Sequence, residues 1–367
     1  MKMGNMKMPK VSMIMPVYNS EPFLGMALDS LLGQTLPEVE VIAVDDGSAD
    51  GSLKVLTDRA ASDSRLRVFR QEKNSGTLSA RNRGIRESRG EYLMFLDPDD
   101  FFDLNAAEQL SSLADSEHAD IIHFGTKEFT RGEGTIKRLF NWTPPAEKRV
   151  SGDGAVIRDL LNGGHNWSLC FKIIRRDICL KALSDTRDFF CIMGEDFYFY
   201  LAAAYYSKVF IQIKTPYYNY DTTIGITGVK TMPPERFFRT ASLLDALKEG
   251  ETFLKTREVL NDPVLASRWE TIAKGQCRIL WNLWYSRLAP GTRGQVGEYL
   301  LNRAWNKELF LLAVFDENDY LRENEEFLKF ASSIYRVLNF FFPKNSYIRM
   351  RLKNWYRKLK CLKAVKT

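Results

Sequence analysis

The chain has 367 residues, of which 45% are apolar and 27% charged, and its net charge is +6. That is enough material for one large α/β domain with a smaller appendage, and it excludes a mainly disordered or low-complexity protein. The five cysteines (Cys170, Cys179, Cys191, Cys277, Cys361) include no C-x-x-C pair and the three histidines are scattered, which argues for reduced thiols in a cytosolic setting rather than a disulfide framework or a zinc site.

Taken in chain order, Val11–Tyr18 predicts an apolar strand stopped by Pro16, and a helix over 22–32 follows with Asn19 or Ser20 as its cap. Val39–Val44 predicts a second strand, which ends in Asp45-Asp46-Gly47-Ser48 before a helix from 50 to 61. Leu66–Phe69 is a third strand, and Asn74-Ser75-Gly76 opens a helix over 77–87 that carries Arg81. After Gly90 the five apolar residues Tyr92–Leu96 read as a strand buried on both faces. Asp97, Asp99 and Asp100 follow at once. Strand and helix alternating at this rhythm specify a doubly wound, mostly parallel α/β sheet. No internal repeat is visible.

Open sheets of this kind bind ligands outside the carboxyl ends of their strands. Tyr18, Asp45, Asp46, Asp97 and Asp99 therefore gather along one edge, with Arg81 nearby. An aromatic ring, two acidic loops and an arginine suit a nucleotide diphosphate: Tyr18 against a base, Asp46 on a base N–H, Asp97 on the ribose and Asp99 on a metal. Clustered carboxylates repel one another unless a cation sits among them, and hard oxygen ligands select Mg2+ or Mn2+. An Asp-rich turn that only caps the next helix is the plainer reading of each loop taken singly. Neither the Rossmann glycine fingerprint nor a P-loop is present, which demotes nicotinamide chemistry and P-loop hydrolysis.

Val11–Asn19, Asp45-Asp46-Gly47-Ser48, Asn74-x-Gly76 with Ala80-Arg81-Asn82-x-Gly84, and Gly90-Glu91-Tyr92 through Asp97-x-Asp99-Asp100 resemble the successive blocks of family 2 glycosyltransferases with the GT-A fold. The match covers roughly the first 120 residues, in order and at the usual spacings. A looser set resembles the acceptor half of these enzymes: Lys172 with Arg175-Arg176-Asp177, then Gly194-Glu195-Asp196, then Tyr218-x-Tyr220. The Trp167 to Lys172 spacing is longer than usual.

The resemblance implies an inverting transfer of a hexosyl or N-acetylhexosaminyl group from a nucleotide-diphosphate sugar, with UDP the expected nucleotide. The implied acceptor is a hydroxyl of a glycan or lipid-linked glycan in surface polysaccharide assembly. It further implies Pro16, Val17, Tyr18, Asn19, Asp45, Asp46, Asn74, Gly76, Arg81, Asp97 and Pro98 around the nucleotide, and Asp99 on Mn2+ or Mg2+. Asp196 is then the catalytic base, with Trp167, Lys172 and Glu195 on the acceptor side. An aspartate is a weak base toward an alcohol, so proton transfer is expected late in the step. Two other readings stay open: a non-catalytic nucleotide-sugar-binding protein on the same fold, and an Asp-x-Asp phosphotransferase in which Asp97 would be the nucleophile.

After Tyr220 the pattern changes. Residues 222–230 suggest a loop able to fold over the donor, and from Pro234 onward amphipathic patterns predict helices with Trp281 and Trp284 in packing roles. The expected domains are 1–230 (a nucleotide half of about 8–125 and an acceptor half of about 126–230), a helical extension over 231–343, and a basic tail over 344–367. That tail holds nine Lys or Arg residues between 344 and 366, with no acidic residue, interleaved with Tyr347, Ile348, Leu352, Trp355, Tyr356, Leu359 and Leu362. The pattern suits a helix lying on an anionic leaflet. Nucleic acid is a competing partner that the rest of the chain gives no reason to expect, and self-association through the helical part stays open. The first ten residues carry lysines without an apolar h-region, so no signal peptide is expected, and the longest apolar runs are too short to span a bilayer. These features predict a cytoplasmic protein, peripheral at the inner face of the cell membrane.

Overall fold

Seven-residue runs of mostly β-branched and apolar side chains build the centre of the sheet, Val11–Val17 (β1) and Val39–Asp45 (β2), and every residue of both is buried. The computed structural model describes residues 8–130, 136–139, 146–224 and 232–288, with scattered positions from 296 to 313. Contacts divide the chain into two compact units, Met1–Val229 with Glu249–Leu265, and Lys230–Lys248 with Ala266–Thr367.

In the first unit β1 is followed by α1 (Leu24–Leu32), β2 by α2 (Ser52–Ser62), β3 (Leu66–Arg70) by α3 (Thr77–Glu87), and then come β4 (Tyr92–Phe95), β5 (Phe101–Phe102) and α4 (Ala106–Glu117). The chain continues through β6 (Ile121–Phe129), β7 (Ile136–Leu139), β8 (Lys148–Ser151), α5 (Ala155–Leu161), β9 (Lys172–Arg175), α6 (Arg176–Asp185), α7 (Glu195–Tyr206) and β10 (Val209–Asp221). The strand order is β3-β2-β1-β4-β9-β6-β10-β5, with β7 paired to β6 and β8 to β10. β3, β2, β1 and β4 run parallel, as do β6 and β10. β9 lies antiparallel between β4 and β6. The fold is thus the expected α/β sheet, parallel through its nucleotide half, with an antiparallel insertion that the strand-helix rhythm did not announce.

The helices cover the sheet as their apolar spacing requires. α3 packs on β1 and β2, α1 on β2 and β5, and α6 on α7, β4 and β9. Each fully buried aliphatic residue, such as Ile14, Ile42, Leu28 or Ile85, contributes about 1.5–3 kcal/mol. The stretch 249–265 returns to the first unit through the ion pair of Arg257 with Asp185 and an edge-on contact of Tyr205 with Phe253, centroids 5.7 Å apart.

Two local expectations are corrected. Pro16 does not stop β1, which runs on to Val17. The Ile14 carbonyl faces β4, where it accepts Leu96 N–H, and β4 pairs no further than Ile14. Pro16, two residues on, points its missing N–H to the same side, past the paired strand, and costs the sheet no bond. The first helix starts at Leu24 with Phe23 as its cap and no side-chain cap bond, because the Asn19 and Ser20 side chains are committed elsewhere: Asn19 Oδ1 accepts Ala49 N–H at 2.8 Å and Ser20 Oγ–H donates to Tyr18 O at 3.1 Å.

The second unit contains α8 (Pro234–Thr240) and shares α9 (Leu243–Thr256) and α10 (Pro263–Arg287) with the first. Within it Phe237, Leu243, Leu244 and Leu247 are buried, and Trp281 and Trp284 pack edge to face with centroids 4.1 Å apart. Arg303 pairs with Asp245. Among the described residues no helix is long and apolar enough to cross a membrane. Most of the expected donor loop (225–230) and the whole basic tail (344–367) lie outside the described residues.

Gly90 marks the tightest backbone approach ahead of β4. A Cβ there would come within 2.6 Å of Ser12 N and 2.8 Å of Val11 C, and backbone in the middle of a sheet cannot move aside. Gly90→Ala is expected to cost about 1–3 kcal/mol of stability, read as a lower urea midpoint with an unchanged slope.

Candidate functional site

Because β1, β2 and β4 run parallel, the residues that follow them, 18–19, 46–48 and 97–100, leave the sheet at one edge, beside Asp45 at the end of β2. Tyr18 is 39% exposed there. Asp46 N–H donates to Val17 O at 2.7 Å, tying the first two loops together. The Asp46 carboxylate, buried, accepts Gln71 Nε2 at 2.6 Å, Ser75 N–H at 2.8 Å and Gly76 N–H at 2.9 Å. It therefore organises the 71–76 loop that carries Asn74. Gly76, with φ of 93°, lets that loop lie against Cys191, whose backbone N and O would stand 2.8 Å from any Cβ. Asp45 is fully buried; Ser48 N–H reaches its Oδ1 at 3.3 Å and Arg70 Nε stands 3.8 Å from its Oδ2.

The aspartates after β4 divide between two environments. Asp100 turns inward, where Tyr218 of β10 donates its hydroxyl at 2.5 Å and Asp221 its N–H at 2.7 Å. Burial, then Asp99 and Asp97, push the Asp100 carboxyl well above the usual carboxylate range. Asp97 keeps its side chain 38% exposed and accepts Arg81 Nη2 at 2.8 Å. Pro98 and Asp99 are half-buried beside it.

Arg81, on α3, is 3% exposed and reaches three carboxylates: Asp97, Glu195 at 3.0 Å, and Asp196. The last two open α7, where exposed N–H groups favour negative charge. Burial opposes the guanidinium charge, but Asp196 and Asp97 hold its pKa well above its ordinary value. Glu195 is pushed up, first by burial and then by Asp196. Three acidic side chains thus face one buried cation.

Asp196 is gripped from its other side as well. Its Oδ2 accepts Ser168 Oγ–H at 3.1 Å and Leu169 N–H at 3.2 Å. Sequence reasoning did not single out Ser168, Leu169 or Cys170, whose Sγ lies 3.7 Å from Arg81 Nη2; the only signal was their position between Trp167 and Lys172. Trp167 is half-buried, edge-on to Phe197 at 5.1 Å. Lys172, expected on the acceptor side, is fully buried: its Nζ donates to Ser168 O at 2.6 Å and stands 4.4 Å from the Tyr200 ring centre. Beyond Tyr200 the polar chain continues through His165 to Asp159 and Lys148.

No group of three or more His, Cys, Asp or Glu suited to a metal occurs among the described residues. Mg2+ and Mn2+ on a nucleotide diphosphate need only one or two protein carboxylates, the phosphates supplying the rest. Asp97 and Asp99, whose charges already push on Asp100, are a donor set of the right kind.

Lys172 makes a pH-dependent prediction. Burial pulls its ammonium down to about 7 from 10.5, against Asp196 and Cys170, which raise it; the other titratable groups facing it are Tyr200 of α7, His165, and His123 of β6. Between pH 7 and 10.5 the unfolded chain holds a proton that the folded chain has released, so wild-type stability gains with pH across that window. Lys172→Met removes this gain. The stability of Lys172→Met relative to wild type should be highest below pH 7 and fall by about 2 kcal/mol by pH 9, measured by urea unfolding at each pH.

Residues 12–181 match the family model described as glycosyl transferase family 2. The putative glycosyltransferase EpsH of Bacillus subtilis is 31% identical over 286 residues, covering 72% of this chain and 79% of EpsH. The uncharacterized glycosyltransferase EpsJ of the same organism is 44% identical over 117 residues, 32% of this chain and only 34% of EpsJ. Poly(ribitol-phosphate) beta-N-acetylglucosaminyltransferase TarS of Staphylococcus aureus is 33% identical over 141 residues, 38% of this chain and 24% of TarS. A crystal structure of TarS 1–349 in complex with UDP superposes with a TM-score of 0.56 at 19% identity, covering 98% of this chain and 92% of that one. At that identity the likeness speaks for the fold, a GT-A-like α/β sheet. With the EpsH match over most of both chains, the protein belongs to the family 2 glycosyl transferases.

Proposed function

We propose that the protein moves a sugar from a nucleotide-diphosphate sugar, with UDP as the nucleotide, to a hydroxyl of a glycan or lipid-linked glycan, inverting the anomeric carbon. The observation that carries the reading is the meeting, across Arg81, of the Asp97-x-Asp99 end of β4 with the Glu195-Asp196 start of α7. It joins the family's donor and acceptor blocks at one point. UDP in the TarS complex supports the choice of nucleotide, and the polymer in that protein's name supports a surface-glycan acceptor.

In this reading Tyr18 lies against the base, and Asp46 shapes the base site through the 71–76 loop it holds. Asp97 takes the ribose, and Asp99 holds Mn2+ or Mg2+. The cation, when bound, neutralises charge on the departing diphosphate. Asp196 accepts the acceptor's proton as its oxygen attacks the anomeric carbon from the face opposite the leaving group. Arg81 keeps Asp196 in line with the donor edge and stands close enough to share the charge that grows there. The transferred group is a hexosyl or N-acetylhexosaminyl unit. The basic tail over 344–367 then serves as an electrostatic tether to anionic lipid, each basic residue adding about 1 kcal/mol near the surface.

A panel of UDP-, GDP- and dTDP-sugars, scored for Mn2+-dependent thermal stabilisation, identifies the donor. Asp99→Ala should abolish the cation-dependent part of that stabilisation and of sugar transfer, with a fold unchanged by circular dichroism. Asp196→Asn should bind the donor as tightly as wild type while turnover drops at least about a hundredfold; full turnover would strike Asp196 as the base. Deleting 344–367 should release the protein from vesicles containing anionic lipid, and undiminished flotation of the truncated chain would end the tether proposal.

A further inference from the structure

We propose that Lys172 is a positioning residue for Asp196: it pins the Ser168 carbonyl and thereby keeps the Ser168 hydroxyl and the Leu169 amide on the carboxylate. The inference rests on the reading of Asp196 as the base and adds a residue to that site. Lys172 opens β9, and its side chain folds back beneath the turn that precedes it, where Nζ donates to Ser168 O at 2.6 Å. Its own N–H donates to Leu169 O at 3.2 Å, so the turn is fastened twice by one residue. The other face of that turn presents Ser168 Oγ and Leu169 N, both on Asp196 Oδ2. Ammonium and amine alike keep an N–H for the carbonyl, so the hold survives discharge of the side chain.

The lysine is itself held. Tyr200 follows Asp196 by four residues and shares its face of α7, and the Tyr200 ring carries the Lys172 ammonium 4.4 Å from its centre. His165 Nδ1 lies 2.5 Å from Asp159 Oδ2, and burial pushes the imidazole down to about 4. A neutral ring whose Nδ1–H donates a hydrogen bond to the carboxylate must accept at Nε2, so Tyr200 donates its hydroxyl there at 2.9 Å. His165 also stacks on Phe210, centroids 4.1 Å apart. Asp159 of α5, His165 and Tyr200 thus fix the platform on which Lys172 rests, and Lys172 fixes the cradle of Asp196. A base displaced by a fraction of an ångström loses far more rate than binding, so such a residue acts on turnover.

The test uses the full-length chain carrying Lys172→Met, a near-isosteric change. Exchange of the Leu169 and Cys170 amides should speed up by about tenfold while amides of β1 and β2 keep their rates. UDP binding by calorimetry should stay within about twofold of wild type, and kcat for UDP release from the donor-panel sugar, with water as acceptor, should fall about 10- to 100-fold at unchanged donor KM. In the Asp196→Asn background the same substitution should cost nothing more, because its effect travels through that carboxylate. Tyr200→Phe, which keeps the ring and cuts the tie to His165, should give a smaller loss of the same kind. Unchanged Leu169 exchange overturns the proposal, as does a loss of equal size with and without Asp196→Asn, the mark of a residue that only supports the fold. Full UDP release by Asp196→Asn alone would instead remove the base assignment, and the Leu169 exchange rate would still decide whether Lys172 holds the turn.

Discussion

A guanidinium removed from water costs several kcal/mol unless its charge is met, and Arg81 is met by Asp97 at the end of β4 and by Glu195 and Asp196 at the start of α7. Those partners lie 16, 114 and 115 residues away in the chain. One buried cation therefore fixes the distance between the nucleotide half of the sheet and the helix that carries the candidate base. Burial first, and then the neighbouring Asp196 carboxylate, raise the pKa of Glu195, the third acidic group on this one cation.

The antiparallel strand β9 explains why the second half of the site arrives at the same edge. Parallel strands deliver their ligand-binding loops where they end, but a strand running the other way begins there. Met94 of β4 stands opposite Ile173 of β9, so the antiparallel register carries the turn ahead of Lys172 toward Asp97. The Ser168 and Leu169 groups on Asp196 follow from that direction reversal, as does the contact of Cys170 with Arg81.

Much of the donor edge was legible because it is local. Val39–Asp45, the acidic turn after it, and the helix Thr77–Glu87 each announce themselves by periodicity and turn chemistry within a dozen residues. What could not be read is set by pairings distant in sequence. The charge partners of Arg81, the inward turn of Asp100 onto Tyr218, and the burial of Lys172 all depend on which strand lies beside β4, and nothing in a four-residue strand such as Lys172–Arg175 states its direction. Pro16 misled for a related reason. Whether a proline ends a strand depends on whether a neighbour needs its N–H, and the neighbour's length is written elsewhere in the chain.

The bonds already made within the described residues bear on how a nucleotide would be received. The Asp46 carboxylate accepts three bonds from the 71–76 loop, and Asn19 and Ser48 lock the first loop to the second. On the proposed reading, a base entering beside Tyr18 would meet loops already tied to one another, and ordering them is a cost of association met during folding. The same holds across the edge, where Asp196 has both oxygens engaged by Arg81, Ser168 and Leu169 before any acceptor arrives. A carboxylate so restrained is held in one place before any acceptor arrives, and if Asp196 is the base, as proposed, that fixed position is what the step would draw on.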